Sequence, residues 1–136
     1  MDKFEWKYVN KLNNVSAIDD FEQAHGIKFH TDLKECMKKN NGGRPTKNIF
    51  DTEKSTGEVF GALLSFNASD PDNIFDIFSI LQKEDKNLIP FARDPAGNYL
   101  CVLCGKIVFW LHETNTYENV ADTFSELLCK LYTLEY

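Results

Sequence analysis

The chain has 136 residues, the usual size of one domain and long enough to bury roughly two-thirds of its unfolded surface without a disulfide or a metal. Its 43% hydrophobic and 26% charged residues exclude a disordered chain, and no apolar run reaches the ~18 residues of a membrane span. The net charge of −6 is uneven: residues 1–50 carry 9 Lys/Arg against 7 Asp/Glu, and residues 51–136 carry 6 against 14, which speaks against direct nucleic-acid binding, since phosphate affinity rests on Lys and Arg.

Phe4, Tyr8, Val9 and Leu12 fall at helical spacing and predict a first helix ending near Asn13-Asn14. Ser16 is a suitable N-cap for a second, with Ile18 and Phe21 facing inward and Gly26 as its stop. Ile27-Lys28-Phe29 reads as briefly extended. Thr31 or Asp32 is the expected cap of a third helix, with Leu33, Cys36 and Met37 on one side. Asn40-Asn41-Gly42-Gly43 halts it, and Arg44-Pro45 is expected in a loop.

From Ile49 the texture becomes β-rich. Ile49-Phe50 and Val59–Phe66 are candidate strands, and Asp72 or Asn73 can cap a helix with Ile74, Ile77, Phe78 and Leu81 as its inner stripe. Leu88–Phe91 reads as a strand, and Asp94-Pro95-Ala96-Gly97 has turn chemistry. Asn98–Leu103 and Lys106–Leu111 then form a tight hairpin through Cys104-Gly105, with Tyr99 opposite Trp110 and Cys101 opposite Val108. Asn119 is expected to open the last helix, with Asp122 three residues on and Val120, Phe124, Leu127, Leu128 and Leu131 as its apolar stripe. This order favours a single α+β domain over residues 1–136, with a mainly antiparallel central sheet packed with helices. The hairpin is apolar at nearly every position, so either both of its faces are covered or one is kept for a partner. Helices on both faces are the preferred reading.

Little in the sequence carries catalytic chemistry. The chain lacks G-x-S-x-G, P-loop and G-x-G-x-x-G motifs, and His112-Glu113-Thr114-Asn115-Thr116 is not H-E-x-x-H. Cys101-Val102-Leu103-Cys104 is formally C-x-x-C but has neither a second ligand pair nor a helix following it. No catalytic residue, metal or cofactor is therefore expected. The first 20 residues lack the apolar stretch of a signal peptide, so a cytoplasmic location with reduced thiols is expected. Lys34, Lys38, Lys39, Arg44 and Lys47 make a small basic patch, read as a solvated helix face. The 13% aromatic content predicts a dense core or an aromatic-lined interface.

Several blocks in order resemble the SUKH superfamily, which includes the yeast Smi/Knr regulator and many bacterial immunity proteins. They are Ile18-Asp19-Asp20-Phe21-Glu22 with Gly26-Ile27-Lys28-Phe29, Asn40-Asn41-Gly42-Gly43-Arg44-Pro45, and Leu63-Leu64-Ser65-Phe66-Asn67. Leu88–Asp94 with Gly97–Cys101, Ile107–Glu113, and the helix Val120–Leu128 complete the set. His30 stands where the family usually shows proline, and Val102 and Leu111 stand where related sequences tend to carry acids. The resemblance implies an α+β fold without catalysis. It also implies an immunity protein that binds and blocks the toxin domain of a polymorphic or contact-dependent system, often a nuclease.

The acidic second segment suits such a partner, because a nuclease domain that grips phosphate is basic. The residues expected to contact it are Asp51, Glu53, Glu58, Asp70, Asp72, Asp94, Asn98, Trp110, His112 and Glu113. The expected assembly is a monomer or weak homodimer that touches neither nucleic acid nor membrane. Two other readings are an intracellular interaction adaptor of the Smi/Knr type, and a small enzyme using His112 and Glu113 as an acid/base pair.

Overall fold

Apolar periodicity near the N-terminus competes with long-range pairing, and pairing prevails. In the computed structural model, which describes residues 4–134, the segment expected as a first helix is extended. Trp6–Lys7 (β1) pairs antiparallel with Arg44–Pro45 (β2), which is therefore a short strand and not a loop. Trp6 packs edge-on against Phe60 at 5.8 Å, and Tyr8 takes a left-handed φ of 58°, which a right-handed helix does not admit.

The next two helices follow their patterns closely. Ala17–His25 (α1) buries Ile18 and Phe21 and ends at Gly26, whose φ of 62° costs a glycine nothing. Thr31–Lys39 (α2) buries Leu33 and Met37. It starts one or two residues earlier than the expected caps Thr31 or Asp32 imply: His30 is the N-cap, and its side chain makes no capping bond. The Asp32 carboxylate, free of capping duty, accepts from the Leu33 amide and from both the amide and hydroxyl of Ser125.

Ile49–Phe50 (β3) pairs with Glu58–Val59 (β4). The single strand expected over Val59–Phe66 is instead broken at Gly61, which donates its N–H to the Arg93 carbonyl at 2.7 Å. A Cβ at Gly61 would stand 2.8 Å from that same oxygen, so this crossing admits only glycine. The chain then changes partner, and Ala62–Leu63 (β5) joins a different sheet. Ile74–Gln82 (α3) follows, with Asn73 as the cap: its side chain accepts the Asp76 amide at 2.9 Å.

Leu88–Arg93 (β6), Tyr99–Leu103 (β7) and Lys106–Leu111 (β8) are the predicted strands, β6 running two residues longer than expected. The link Cys104-Gly105 has φ of 49° and 82°, as a two-residue hairpin turn with both central residues left-handed requires. Tyr99 faces Trp110 and Cys101 faces Val108, the predicted register.

The largest departure comes next. Asn119 does not open a helix but lies in Thr116–Ala121 (β9), paired with β8. Phe124–Lys130 (α4) begins later, capped by Thr123, whose hydroxyl accepts the Glu126 amide at 3.0 Å. The open edge of β8, buried over Ile107–Trp110, offers a backbone ladder, which outweighs a weak Asn/Asp cap signal.

The resulting sheet is antiparallel with order β5-β6-β7-β8-β9. One face sends Leu100, Ile107 and Phe109 into the main core with Phe21, Leu33, Phe124 and Leu127. The opposite face packs Cys101, Val108 and Trp110 against Leu81 and Leu88. Helix α3 serves both: Ile74 and Phe78 belong to the first cluster and Leu81 to the second. Gln82 Nε2 donates to the Leu88 carbonyl at 3.3 Å, covering part of the β6 edge that the short β5 does not reach. The hairpin is thus apolar because both faces are covered over its middle, while Val102 and Leu103 near its tip are half-buried.

Candidate protein-interaction surface

The ten residues expected at a partner interface fall into three places. Asp51 and Glu53 lie on the loop after β3, where they wall a recess of about 690 Å³ together with Asn119, Asp122, Glu126 and Tyr132. The Tyr132 hydroxyl donates to Asp51 Oδ1 at 2.6 Å and the Gly57 amide at 3.0 Å, so Asp51 is held below the ordinary carboxylate range. Glu53 accepts from the Asn119 amide at 3.0 Å and its side chain at 3.3 Å, which lowers its pKa in the same way. The Glu53 amide returns a bond to the Asn119 carbonyl at 3.0 Å. This loop therefore covers the outer edge of β9 while presenting two ionised carboxylates. Two lysines also line the recess, but each has an acid near it: Lys130 pairs with Glu126 at 2.9 Å, and Lys106 lies 3.9 Å from Asp122.

Beside the recess, Glu58 is half-buried. Its carboxyl pKa is raised, first by burial and then by the charges of Asp94 and Glu118. Glu118 is only 8% exposed. It accepts from the hydroxyls of Thr52 and Ser55, the latter at 2.8 Å, and so holds the recess loop against β9. The sequence does not single out Glu118, because the helix-cap pattern from Asn119 masks the strand; the inward position of every second residue in Glu118-Asn119-Val120 becomes legible only once the strand is known.

Asp94 stands at the head of a hydrogen-bonded chain. Its Oδ1 accepts the amides of Ala96 and Asn98, both at 2.8 Å, and its Oδ2 accepts the Asn98 side-chain amide at 2.9 Å. The oxygen of Asn98 receives the His112 amide at 3.0 Å and lies 2.8 Å from His112 Nδ1. Because the Asn98 amino group is committed to Asp94, Nδ1 of His112 must be the donor when the ring is neutral, and Nε2 the acceptor. His112 and Glu113 are both exposed at the end of β8. On the neighbouring strand, the pKa of Tyr99 is raised by burial and then by Asp72 and Asp94. Asp72 lies 2.8 Å from Arg93 Nε, near enough for ion pairing though not aligned for a hydrogen bond.

The charges of Asp94 and Glu118 both act on Glu58, and those of Asp72 and Asp94 on Tyr99, so these acids lie along one belt, which Thr52 and Ser55 extend to the recess of Asp51 and Glu53. Asn98, His112 and Glu113 flank it. Three of the ten residues have internal duties: Asp94, 8% exposed and bonded to its own turn, and the two that follow. Asp70 accepts from Asn10 and Ser65, each at 2.6 Å, tying the N-terminal segment to the turn before α3. Trp110 is 6% exposed; it stacks on Tyr99 at 6.3 Å and donates Nε1 to Asn115, whose amide reaches Glu84.

A second depression, of about 860 Å³, lies at the hairpin tip, and sequence reasoning did not single it out. It is assembled from the α1–α2 linker, the α3–β6 loop, the β7–β8 turn and the start of α4, so no contiguous motif announces it. Among the described residues no cluster of His, Cys, Asp or Glu is placed to hold a metal ion, and no helix is long and apolar enough to cross a membrane.

The description SMI1 / KNR4 family (SUKH-1) belongs to the family model that matches residues 14–130. Comparison with curated proteins and with solved structures gave no match.

Proposed function

Because the chain belongs to the SMI1/KNR4 (SUKH-1) family, we propose that it acts as an immunity protein, binding a cognate toxin domain with a basic, nucleic-acid-gripping surface and blocking it sterically. The observation that carries this reading is the acidic belt in which the exposed carboxylates of Asp51 and Glu53 stand beside half-buried Glu58, with Asp94 and Glu118 buried behind them. Hydrogen bonds fix the carboxylates of Asp51 and Glu53 and favour their ionised form, so they meet a cationic partner without first being ordered. A belt of this sign steers a basic partner and competes for the surface that would hold phosphate.

Asn98, His112 and Glu113 add polar contacts at one end. No bond-breaking step by this chain is part of the reading, and neither a cofactor nor a metal enters it. The protein would act in the cytoplasm as a monomer or weak homodimer, on the protein toxin and not on nucleic acid.

Co-expression with the toxin encoded beside it tests the proposal. Restored growth and co-purification are expected, with association slowing as salt rises. The double variant Asp51→Lys/Glu53→Lys should weaken the complex about tenfold or more, through loss of attraction and added like-charge contact. Failure of the unaltered protein to rescue growth or to co-purify would remove the pairing.

A further inference from the structure

We infer that His112 is a positioned hydrogen-bond acceptor: its Nε2 lone pair is held ready for an N–H donor of a basic partner, a lysine ammonium or an arginine guanidinium, and protonation of the ring turns that contact off. This deepens the reading of the acidic belt as the surface for a basic partner and rests on it. Asp94 is buried and sets the chain of bonds. Its carboxylate accepts, so the Asn98 side-chain atom 2.9 Å from Oδ2 is the NH2 nitrogen. The Asn98 oxygen then faces the end of β8, where it receives the His112 amide at 3.0 Å. Turning the Asn98 amide over would set its oxygen against the Asp94 carboxylate and its NH2 against the His112 N–H, and both bonds would be lost. With Asn98 fixed, the ring nitrogen Nδ1, 2.8 Å from that oxygen, must carry a proton. In the neutral ring this leaves Nε2 as a bare lone pair.

The ring is also seated. It lies over Gly97, where a Cβ would stand 3.5 Å from Nδ1 and 3.7 Å from Cε1. His112 is exposed, and among the described residues only Asn98 bonds to its ring. A ring fixed in this way offers its lone pair without first losing side-chain freedom. Charge selects the donor. The turns on either side of the ring, residues 94–98 and 113–115, carry Asp94 and Glu113 and no cation. Arg93, next to Asp94 in the chain, is turned to Asp72 at 2.8 Å. A cationic N–H donor therefore meets a lone pair and two negative charges, a hydroxyl meets only the lone pair, and a carboxylate is repelled. Protonation puts an N–H and a positive charge where the lone pair was, so that donor faces donor.

The test uses the full chain, labelled with nitrogen-15, and two defined probes, the peptides Ac-RKRKR-NH2 and Ac-EDEDE-NH2. Long-range proton–nitrogen spectra of the free protein at about pH 8 should show the His112 proton on Nδ1 and a bare Nε2. The basic peptide at low-millimolar concentration should move the Nε2 resonance and leave those of His25 and His30 in place, and the acidic peptide should move none of them. His112→Ala should weaken binding of the basic peptide about three- to tenfold. Asn98→Ala should weaken it similarly and change the tautomer of a histidine that is still present, which a loss of stability alone would not do. Binding of the basic peptide should also weaken as pH falls from about 8 to about 5.5, and His112→Ala should flatten that dependence. A proton on Nε2 in the free protein would overturn the proposal, whatever the variants do. So would an Nε2 resonance that ignores the basic peptide, or an affinity for that peptide unaltered in His112→Ala. The growth test is separate: failure to rescue removes the immunity reading and leaves the acceptor standing, whereas the other tautomer removes the acceptor and leaves the belt.

Discussion

The acidic recess and the hairpin-tip groove lie on either side of the β9–α4 junction, where Asp122 lines both, yet they are built in opposite ways. The recess is made of a loop held to an edge strand, and its character comes from ionised side chains on the surface. The groove is made of core: its floor, Ile89, Val102 and Ile107 beside Phe78 and Phe124, is the same apolar sheet face that organises the main hydrophobic cluster. A change of charge at the recess should therefore act on stability locally and modestly, whereas a change in the groove floor reaches the whole fold.

The strongest way to break this contrast is to truncate the floor. Phe124 is 3% exposed and meets Phe91 edge-on at 5.7 Å. Phe124→Ala should destabilise the fold by about 3–5 kcal/mol, seen as a lower urea midpoint with an unchanged slope. A smaller effect is expected at the recess from Glu118→Ala. It leaves the hydroxyls of Thr52 and Ser55 without their acceptor and should cost about 1–3 kcal/mol. Amide exchange should quicken across residues 52–57, while the amides of the groove floor keep their protection. Uniform loosening of both regions would contradict the separation.

The two regions also differ in how much of them a sequence displays. Charge is carried by residue identity, so Asp51, Glu53, Glu58 and Asp94 could be named in advance, and the hairpin register followed from one Gly-containing turn between two apolar runs. What was not legible needed a partner distant in sequence. Phe4 to Leu12 has helical spacing, and only pairing of its Trp6–Lys7 with Arg44–Pro45 keeps it out of a helix. Asn119 and Asp122 imitate a helix cap, and only the ladder of β8 makes the segment a strand that carries Glu118 inward. The groove draws on four separate stretches of chain, none with a motif of its own.

Acid should sharpen the comparison from the recess side. Asp51 and Glu53 have pKa values lowered by folding, so the folded state binds fewer protons than the unfolded chain near their titration. Their contribution is present above the unfolded value of roughly 4 and is lost as pH falls through the lower folded values. Thermal midpoints should therefore drop below about pH 4. In Asp51→Asn/Glu53→Gln that acid-side slope should flatten, with Lys28→Glu/Lys86→Glu, a variant of two lysines that line the groove, retaining it.

Glu58 supplies the smallest effect and the opposite sign. Burial, Asp94 and Glu118 all raise its pKa, so the folded protein takes up this proton more readily than the unfolded chain does. Above the folded value the ionised carboxylate opposes folding, and protonation relieves that opposition as pH falls through it. Glutamine mimics the protonated form, so Glu58→Gln should raise stability at pH 7 by about 0.5 kcal/mol or less and give no gain once the native residue is itself protonated. With Glu118 also changed to glutamine the gain should shrink, because one of the two neighbouring charges responsible for it is gone. A gain independent of both pH and Glu118 would mean that the belt does not act as a coupled set of charges. The same substitution should slow association with a basic partner, since the strain of holding Glu58 ionised beside its neighbours is what such a partner relieves.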